Sequence, residues 1–174
     1  NRLKQTLEQL ENAGQQTLLI GVTYALLDFD EKYPFRLSNT VIMETGGMKG
    51  RREELVRDEV HALLKKAFQV DSIHSEYGMT ELMSQAYSTS NGIFHGAPWM
   101  RFFVRDEEDP LQLNEEGNGV LNVIDLANVH SCSFIATEDA GKLHPDGSFE
   151  VLGRVDNSDI RGCSLLINDP NHAW

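Results

Sequence analysis

The first half of the chain alternates between two hydrophobic rhythms. Leu3, Leu7 and Leu10 recur at helical spacing, and Gly14 offers a C-terminal stop. Thr17 to Gly21 reads as a short buried strand and Val22 to about Phe29 as a helix ended by Tyr33-Pro34. Thr40 to Met43 is a second apolar strand, running into Glu44-Thr45-Gly46-Gly47. The clearest helix spans Glu53 to Phe68, where Val56, Val60, Leu63, Leu64, Ala67 and Phe68 form one stripe. Glu53 and Glu54 in its first turn and Lys65 and Lys66 in its last complement the helix dipole. Val70 to Glu76 predicts a third strand. After about Ser90 the segments become short and β-prone: Trp99 to Val104, Gly119 to Leu126 and Ser133 to Ala136. Gly141 to Leu152 reads as a hairpin around Pro145-Asp146-Gly147.

Strands separated by helices imply an α/β fold with a doubly wound, mainly parallel sheet, here over residues 1–90. An antiparallel, β-rich subdomain over residues 91–174 is expected to follow and pack against it. In such a sheet, ligands sit beyond the carboxyl ends of the strands. Glu44-Thr45-Gly46-Gly47 and Tyr77-Gly78-Met79-Thr80-Glu81 both occupy that position.

Composition narrows the function classes. A length of 174 residues fits one domain or two small subdomains sharing a core. With 27 Asp+Glu against 15 Lys+Arg the net charge is −12, which repels nucleic-acid backbones. A bound nucleotide must therefore be held by local donors and metal. The two cysteines, Cys132 and Cys163, make neither a disulfide framework nor a zinc pair. There is no membrane span or signal peptide, so a reducing cytoplasm is the expected location.

Several short segments carry possible chemistry. Gly46-Gly47 lets the backbone turn sharply and approach a flat ligand, although read alone it is equally a βα turn. In the Tyr77–Glu81 segment, Tyr77 supplies a stacking face, Thr80 a hydroxyl and Glu81 a hard oxygen ligand suited to Mg²⁺. Asp139 follows a predicted strand and could accept hydrogen bonds from ribose hydroxyls, or be a solvated turn residue. Arg154 could pair with a ribose or phosphate oxygen, or make a surface salt bridge. His61 and His74 read as structural, His95 could line an acid pocket, and no HExxH-type metal motif is present.

Taken in order and spacing, these segments resemble the adenylate-forming superfamily of acyl-CoA ligases, peptide-synthetase adenylation domains and luciferases. Tyr77-Gly78-Met79-Thr80-Glu81 matches its Tyr-Gly-x-Thr-Glu motif at every fixed position. Gly46-Gly47 is similar to its adenine-side glycine pair. Thr137-Glu138-Asp139 resembles Thr-Gly-Asp with Glu138 in place of glycine, and Gly153-Arg154-Val155-Asp156 through Asp159-Ile160-Arg161-Gly162 resembles its hinge. Within the superfamily, Glu44 to Gly50 and Arg161 to Leu166 look most like the acyl-protein synthetases of bacterial bioluminescence, with phenylacetate-CoA ligases next.

The resemblance implies ATP-dependent activation of a carboxylic acid, fatty by analogy, as an acyl-adenylate, followed by transfer to a thiol. It casts Thr80 and Glu81 as catalytic, Glu81 as the Mg²⁺ ligand, and Gly46, Gly47, Tyr77, Gly78, Asp139 and Arg154 as the nucleotide site. Cys163 sits where that group carries its acyl acceptor, and coenzyme A is the rival thiol. A lone cysteine after a strand is also commonly a small buried hydrophobe, and Cys132 is read as structural. The superfamily's phosphate loop is not found between Asn1 and Tyr77. The chain therefore reads as the C-terminal half of a larger enzyme, whose partners would be its own N-terminal half and an acyl-accepting reductase. A catalytically inactive nucleotide-binding module is the reading from another class.

Overall fold

The computed structural model describes residues 2–47 and 55–155. Its first layer is built from helix α1 (Arg2–Asn12), strand β1 (Thr17–Val22), helix α2 (Thr23–Lys32), strand β2 (Thr40–Thr45), helix α3 (Arg57–Phe68) and strands β3 (His74–Tyr77) and β4 (Ala86–Ser88). The sheet has the order β1-β2-β3-β4. The first two pairings are parallel, and β4 closes the sheet antiparallel to β3. A second sheet, in the order β5-β10-β9-β8-β6-β7, gathers strands β5 (Ile93–Phe94), β6 (Met100–Arg105), β7 (Leu113–Asn114), β8 (Gly117–Asp125), β9 (Phe134–Leu143) and β10 (Phe149–Arg154). All of its pairings are antiparallel. The mixed α/β architecture expected from the two hydrophobic rhythms is thus present.

Strand alternation decides which apolar residues reach the helices. Leu19 and Ile42, register partners in β1 and β2, are buried in a cluster with Leu7, Leu27, Leu64 and Phe68. Their neighbours Leu18, Ile20 and Val41 point the other way and are exposed. In α3 the buried stripe is narrower than the sequence suggested. Val60, Leu64 and Phe68 are buried at i, i+4, i+8, whereas Val56 and Leu63 are exposed. The buried stripe extends on its other flank to His61 and not to Leu63. The helix begins at Arg57, so Asp58 and Glu59 are its first-turn acids, and Glu59 accepts the Val56 N–H at 3.2 Å. Strand β3 also starts later than expected, because Gln69 closes α3 in a left-handed conformation and a connection up to Ile73 follows.

The second sheet has its own aromatic core. Phe102 stacks on Phe149 with ring centroids 4.1 Å apart, and Phe149 stacks on Phe94 at 5.5 Å. The expected hairpin joins β9 to β10. Its turn is fixed by Asp146, which accepts from the Ser148 N–H and hydroxyl, and by Gly147 at φ 83°.

Candidate functional site

The site is assembled along the carboxyl edge of the first sheet. Because Thr45 is the register partner of Glu76, the Gly46-Gly47 turn and the Tyr77–Glu81 segment leave the sheet side by side. Gly46 adopts φ 71°, which a side chain would strain, and a Cβ on Gly47 would meet no atom within 4 Å. The turn is held from below: the Thr23 hydroxyl lies 2.7 Å from the Gly46 carbonyl oxygen and 2.8 Å from a Glu44 carboxylate oxygen.

Tyr77 and Asp139 meet directly. The tyrosine hydroxyl donates to Asp139 Oδ2 at 2.8 Å, joining residues that are 62 positions apart. Burial first, then the charge of Asp139 and the hydrogen bond to it, push the Tyr77 hydroxyl well above its ordinary range, so it remains a donor. The ring makes T-shaped contacts with Phe94 and Phe149 and is buried, so little of it is open for a ligand to stack on. Asp139 is the register partner of Arg154 across the β9–β10 ladder. Arg154 makes the salt bridge that the sequence left open: its Nη2 lies 2.6 Å from Glu138 Oε2, the residue replacing the motif's glycine. Both side chains are part-exposed, so this contact orients Arg154 without adding much stability. The structure therefore brings Gly46, Gly47, Tyr77, Asp139 and Arg154 onto one connected edge.

Thr80 and Glu81 lie in the loop between β3 and β4, and both side chains are exposed. Gly78 is exposed in the same loop, where an added Cβ would come within 3.1 Å of the Gln85 side chain. Glu81 with the Thr80 hydroxyl is a hard-oxygen donor set of the kind Mg²⁺ uses when substrate phosphates complete its shell. Among the described residues there is no group of three or more His, Cys, Asp or Glu that could hold a metal alone. Cys163 and the Asp156–Gly162 segment lie outside the described residues. Cys132, read as structural, is exposed, with its thiol donating to the Phe134 carbonyl at 3.2 Å. His95 is exposed and lines one pocket with His144 and Asp146 at the hairpin.

Two groups of residues near the site were not singled out from sequence. One is the buried acid Glu44, which lies 3.4 Å from Arg57 and 3.7 Å from His61. Arg57 in turn reaches the Val151 carbonyl of β10 at 3.1 Å and stacks over the Phe94 ring at 4.9 Å. The other is Asp125, buried at the end of β8, with Asn128 just beyond it. A lone Glu within an apolar strand was the available signal for the first. An Asp-Leu-Ala-Asn run after a strand was the signal for the second.

Comparison with known proteins follows the same outline. The family model for the acyl-protein synthetase LuxE matches residues 1–171. No curated protein matches the chain. Among solved structures, ATP-bound MatB from Rhodopseudomonas palustris aligns with a TM-score of 0.59 at 16% identity, covering 87% of this chain and 33% of that one. The O-succinylbenzoate coenzyme A synthetase MenE from Bacillus subtilis, in complex with AMP, aligns at 0.57 and 17% identity, covering 90% and 43%. The luciferase-like enzyme of the nonluminescent mealworm Zophobas morio aligns at 0.56 and 18%, covering 87% and 41%. At these identities the likeness is one of fold. The chain spans less than half the length of each of these three structures. Among the described residues, no helix is long and apolar enough to cross a membrane.

Proposed function

We propose a function from one premise: the chain belongs to the LuxE acyl-protein synthetase family. On that reading it carries much of the nucleotide site of an adenylate-forming ligase. The complete enzyme activates a carboxylic acid, of the fatty class, with ATP and passes the acyl group to a thiol. The observation that carries this reading is the Tyr77–Asp139 hydrogen bond. It joins two of the four motif segments at the edge where the Gly46-Gly47 turn leaves β2, which supports reading them as parts of one nucleotide site.

In the first step the acid's carboxylate oxygen bonds to the α-phosphorus of ATP and the bond to pyrophosphate breaks, leaving an acyl-adenylate. The open Gly46-Gly47 turn admits the adenine plane, while Tyr77 fixes Asp139 so that its carboxylate can receive the ribose hydroxyls. Thr80 donates its hydroxyl to the phosphate in transfer, and Glu81 directs its carboxylate at the cation that accompanies ATP. Bound there, Mg²⁺ would offset the charge that develops on the phosphate oxygens. In the second step a thiolate attacks the acyl carbonyl; the carbon–sulfur bond forms as the acyl–phosphate bond breaks, and AMP departs. Cys163 is the candidate thiol, and its thiolate form would be the nucleophile. A reducing cytoplasm would keep it competent, and an acyl-accepting reductase would receive its product.

Residues 1–90 would supply the adenine edge and residues 91–174 the ribose and acceptor groups. The exposed apolar face of Leu18, Ile20 and Val41 supports a further segment of the same protein packing there. Parallel sheets are normally covered on both faces. That N-terminal half would bring the phosphate loop and most of the acid pocket.

The test is intact mass of the natural full-length protein after incubation with Mg·ATP and a panel of carboxylic acids, with and without coenzyme A. An ATP-dependent acyl adduct that is lost in Cys163→Ser establishes self-acylation and identifies the acid. Acyl-CoA formed equally by the serine variant makes the protein a CoA ligase. ATP binding without pyrophosphate release with any acid leaves an inactive nucleotide-binding module.

A further inference from the structure

The loop that carries Thr80 and Glu81 belongs to the chain leaving the first sheet, yet it is held by the second. Asp125, the last residue of β8, is fully buried. Its Oδ2 accepts the Met83 N–H at 3.0 Å and the Ser84 N–H at 2.8 Å. Its Oδ1 accepts the Ser84 hydroxyl at 2.9 Å and the Ala127 N–H at 3.0 Å. Ser84 is steadied from its other side by the Trp99 indole N–H, which donates to Oγ at 2.7 Å. Three residues on, the buried Asn128 amide donates to the Glu81 carbonyl at 2.7 Å and to the Cys132 carbonyl at 2.8 Å. Leu82, between the two anchor points, is buried in the second core.

A buried carboxylate is costly unless its lone pairs are filled, and here each oxygen receives two donors. Satisfaction of that order fixes the backbone at residues 83 and 84, while Asn128 fixes it at residue 81. Glu81, whose own carbonyl is one of the anchors, therefore has little freedom at its Cα. A Mg²⁺ ligand must reach its cation at about 2.0–2.1 Å in near-octahedral geometry, so a loose backbone there forfeits affinity. We propose that Asn128 and Asp125 are positioning residues, which set the Glu81 carboxylate for the cation of Mg·ATP by clamping its loop to β8. This inference rests on the functional reading above, and neither residue is placed in contact with substrate.

The experiment uses the natural full-length protein, with Asn128→Ala as the main variant because replacing Asp125 could prevent folding. Mn²⁺ uptake is followed by electron paramagnetic resonance in the presence of a non-hydrolysable ATP analogue, with Glu81→Gln for comparison. Asn128→Ala is expected to weaken Mn²⁺ binding about tenfold, in the same direction as Glu81→Gln. It should also raise the half-saturating Mg²⁺ for pyrophosphate release more than it lowers kcat at saturating Mg²⁺. Amide hydrogen exchange over residues 79–85 should speed up in the variant, with exchange in β1 and β2 unchanged. Unchanged Mn²⁺ affinity beside lowered thermal stability makes Asn128 structural only and overturns the proposal. If the wild-type protein takes up no Mn²⁺ with the analogue, the functional reading fails at Glu81. Unchanged loop exchange in Asn128→Ala removes the clamp itself.

Discussion

Replacing Glu44 is the sharpest stability test the structure offers. Its carboxylate is almost fully buried at the end of β2, 2.8 Å from the Thr23 hydroxyl, 3.4 Å from Arg57 Nε and 3.7 Å from His61 Nε2. Breaking a buried ion pair by removing one partner costs about 3–5 kcal/mol, because the other charge is left uncompensated. Arg57 is a quarter exposed and keeps its bond to the Val151 carbonyl, so Glu44→Ala belongs near the lower end, about 3 kcal/mol. Glu44→Gln preserves volume and a partner for Thr23, and should cost about half as much. In a double-mutant cycle with Arg57→Met, measured by urea unfolding of the full-length protein, the coupling should exceed 1 kcal/mol, above the roughly 0.2–1 kcal/mol of exposed pairs.

The same pair sets a pH dependence. Burial alone would raise the Glu44 pKa, but hydrogen bonds from His61, Ser75 and Thr23 and the charge of Arg57 outweigh it and hold the carboxyl below its usual range. A depressed folded pKa contributes stability that is present above the unfolded value, about 4.3, and lost as pH falls through the folded one. The gap between wild type and Glu44→Gln should therefore be constant near neutrality and shrink below about pH 4. A coupling under about 0.5 kcal/mol, or a gap that is flat to low pH, would refute the reasoning.

Two further outcomes follow from single contacts. Tyr77→Phe keeps the packing against Phe94 and Phe149 but removes the donor to Asp139, so stability should fall by about 1 kcal/mol while the KM for ATP rises severalfold in a pyrophosphate-release assay. An unchanged KM would detach Asp139 from nucleotide binding. Gly141→Ala places a Cβ 2.7 Å from the Glu150 carbonyl oxygen and 2.8 Å from the Leu121 side chain, so β9 and β10 must separate. The expected loss is about 2–3 kcal/mol in thermal or urea unfolding, and a neutral variant would show that the hairpin adjusts freely.

The fold was legible where its rules are local. The places of β1 and β2, the left-handed Gly14 after α1 and the Pro145-Asp146-Gly147 turn follow from residues within a few positions of one another, whereas the exposure of Leu18, Ile20 and Val41 in strands read as buried does not. The pattern failed where tertiary packing chose between neighbours. Leu63 and His61 both flank the Val60–Leu64–Phe68 stripe, and hydrophobicity favours Leu63. The buried place went to His61 because Glu44 and Ser75 stand opposite it, with Ser75 Oγ 3.1 Å from Nε2. Glu44 itself looked like the first residue of a glycine turn. Its Cβ alternates onto the same face as Ile42, toward the helices, which no motif reading of Glu44–Gly47 would reveal.

The site shows the same division more sharply. Each motif was visible as a short run, but what brings the runs together is carried by contacts between distant residues. Tyr77 meets Asp139 over 62 positions, Asn128 meets Glu81 over 47, Ser84 meets Asp125 over 41 and Arg57 meets Val151 over 94. In each case one partner belongs to the first sheet or the loops at its edge, and the other to the second sheet or its end. A chain with net charge −12 gains nothing from its overall field when it meets a polyphosphate, so it must hold its few useful groups in fixed places. The contacts between the two sheets tie those groups to both. Several of these tethers end on backbone atoms, the Glu81 and Val151 carbonyls and the Met83 and Ser84 amides, while residues Thr80 and Glu81 are exposed.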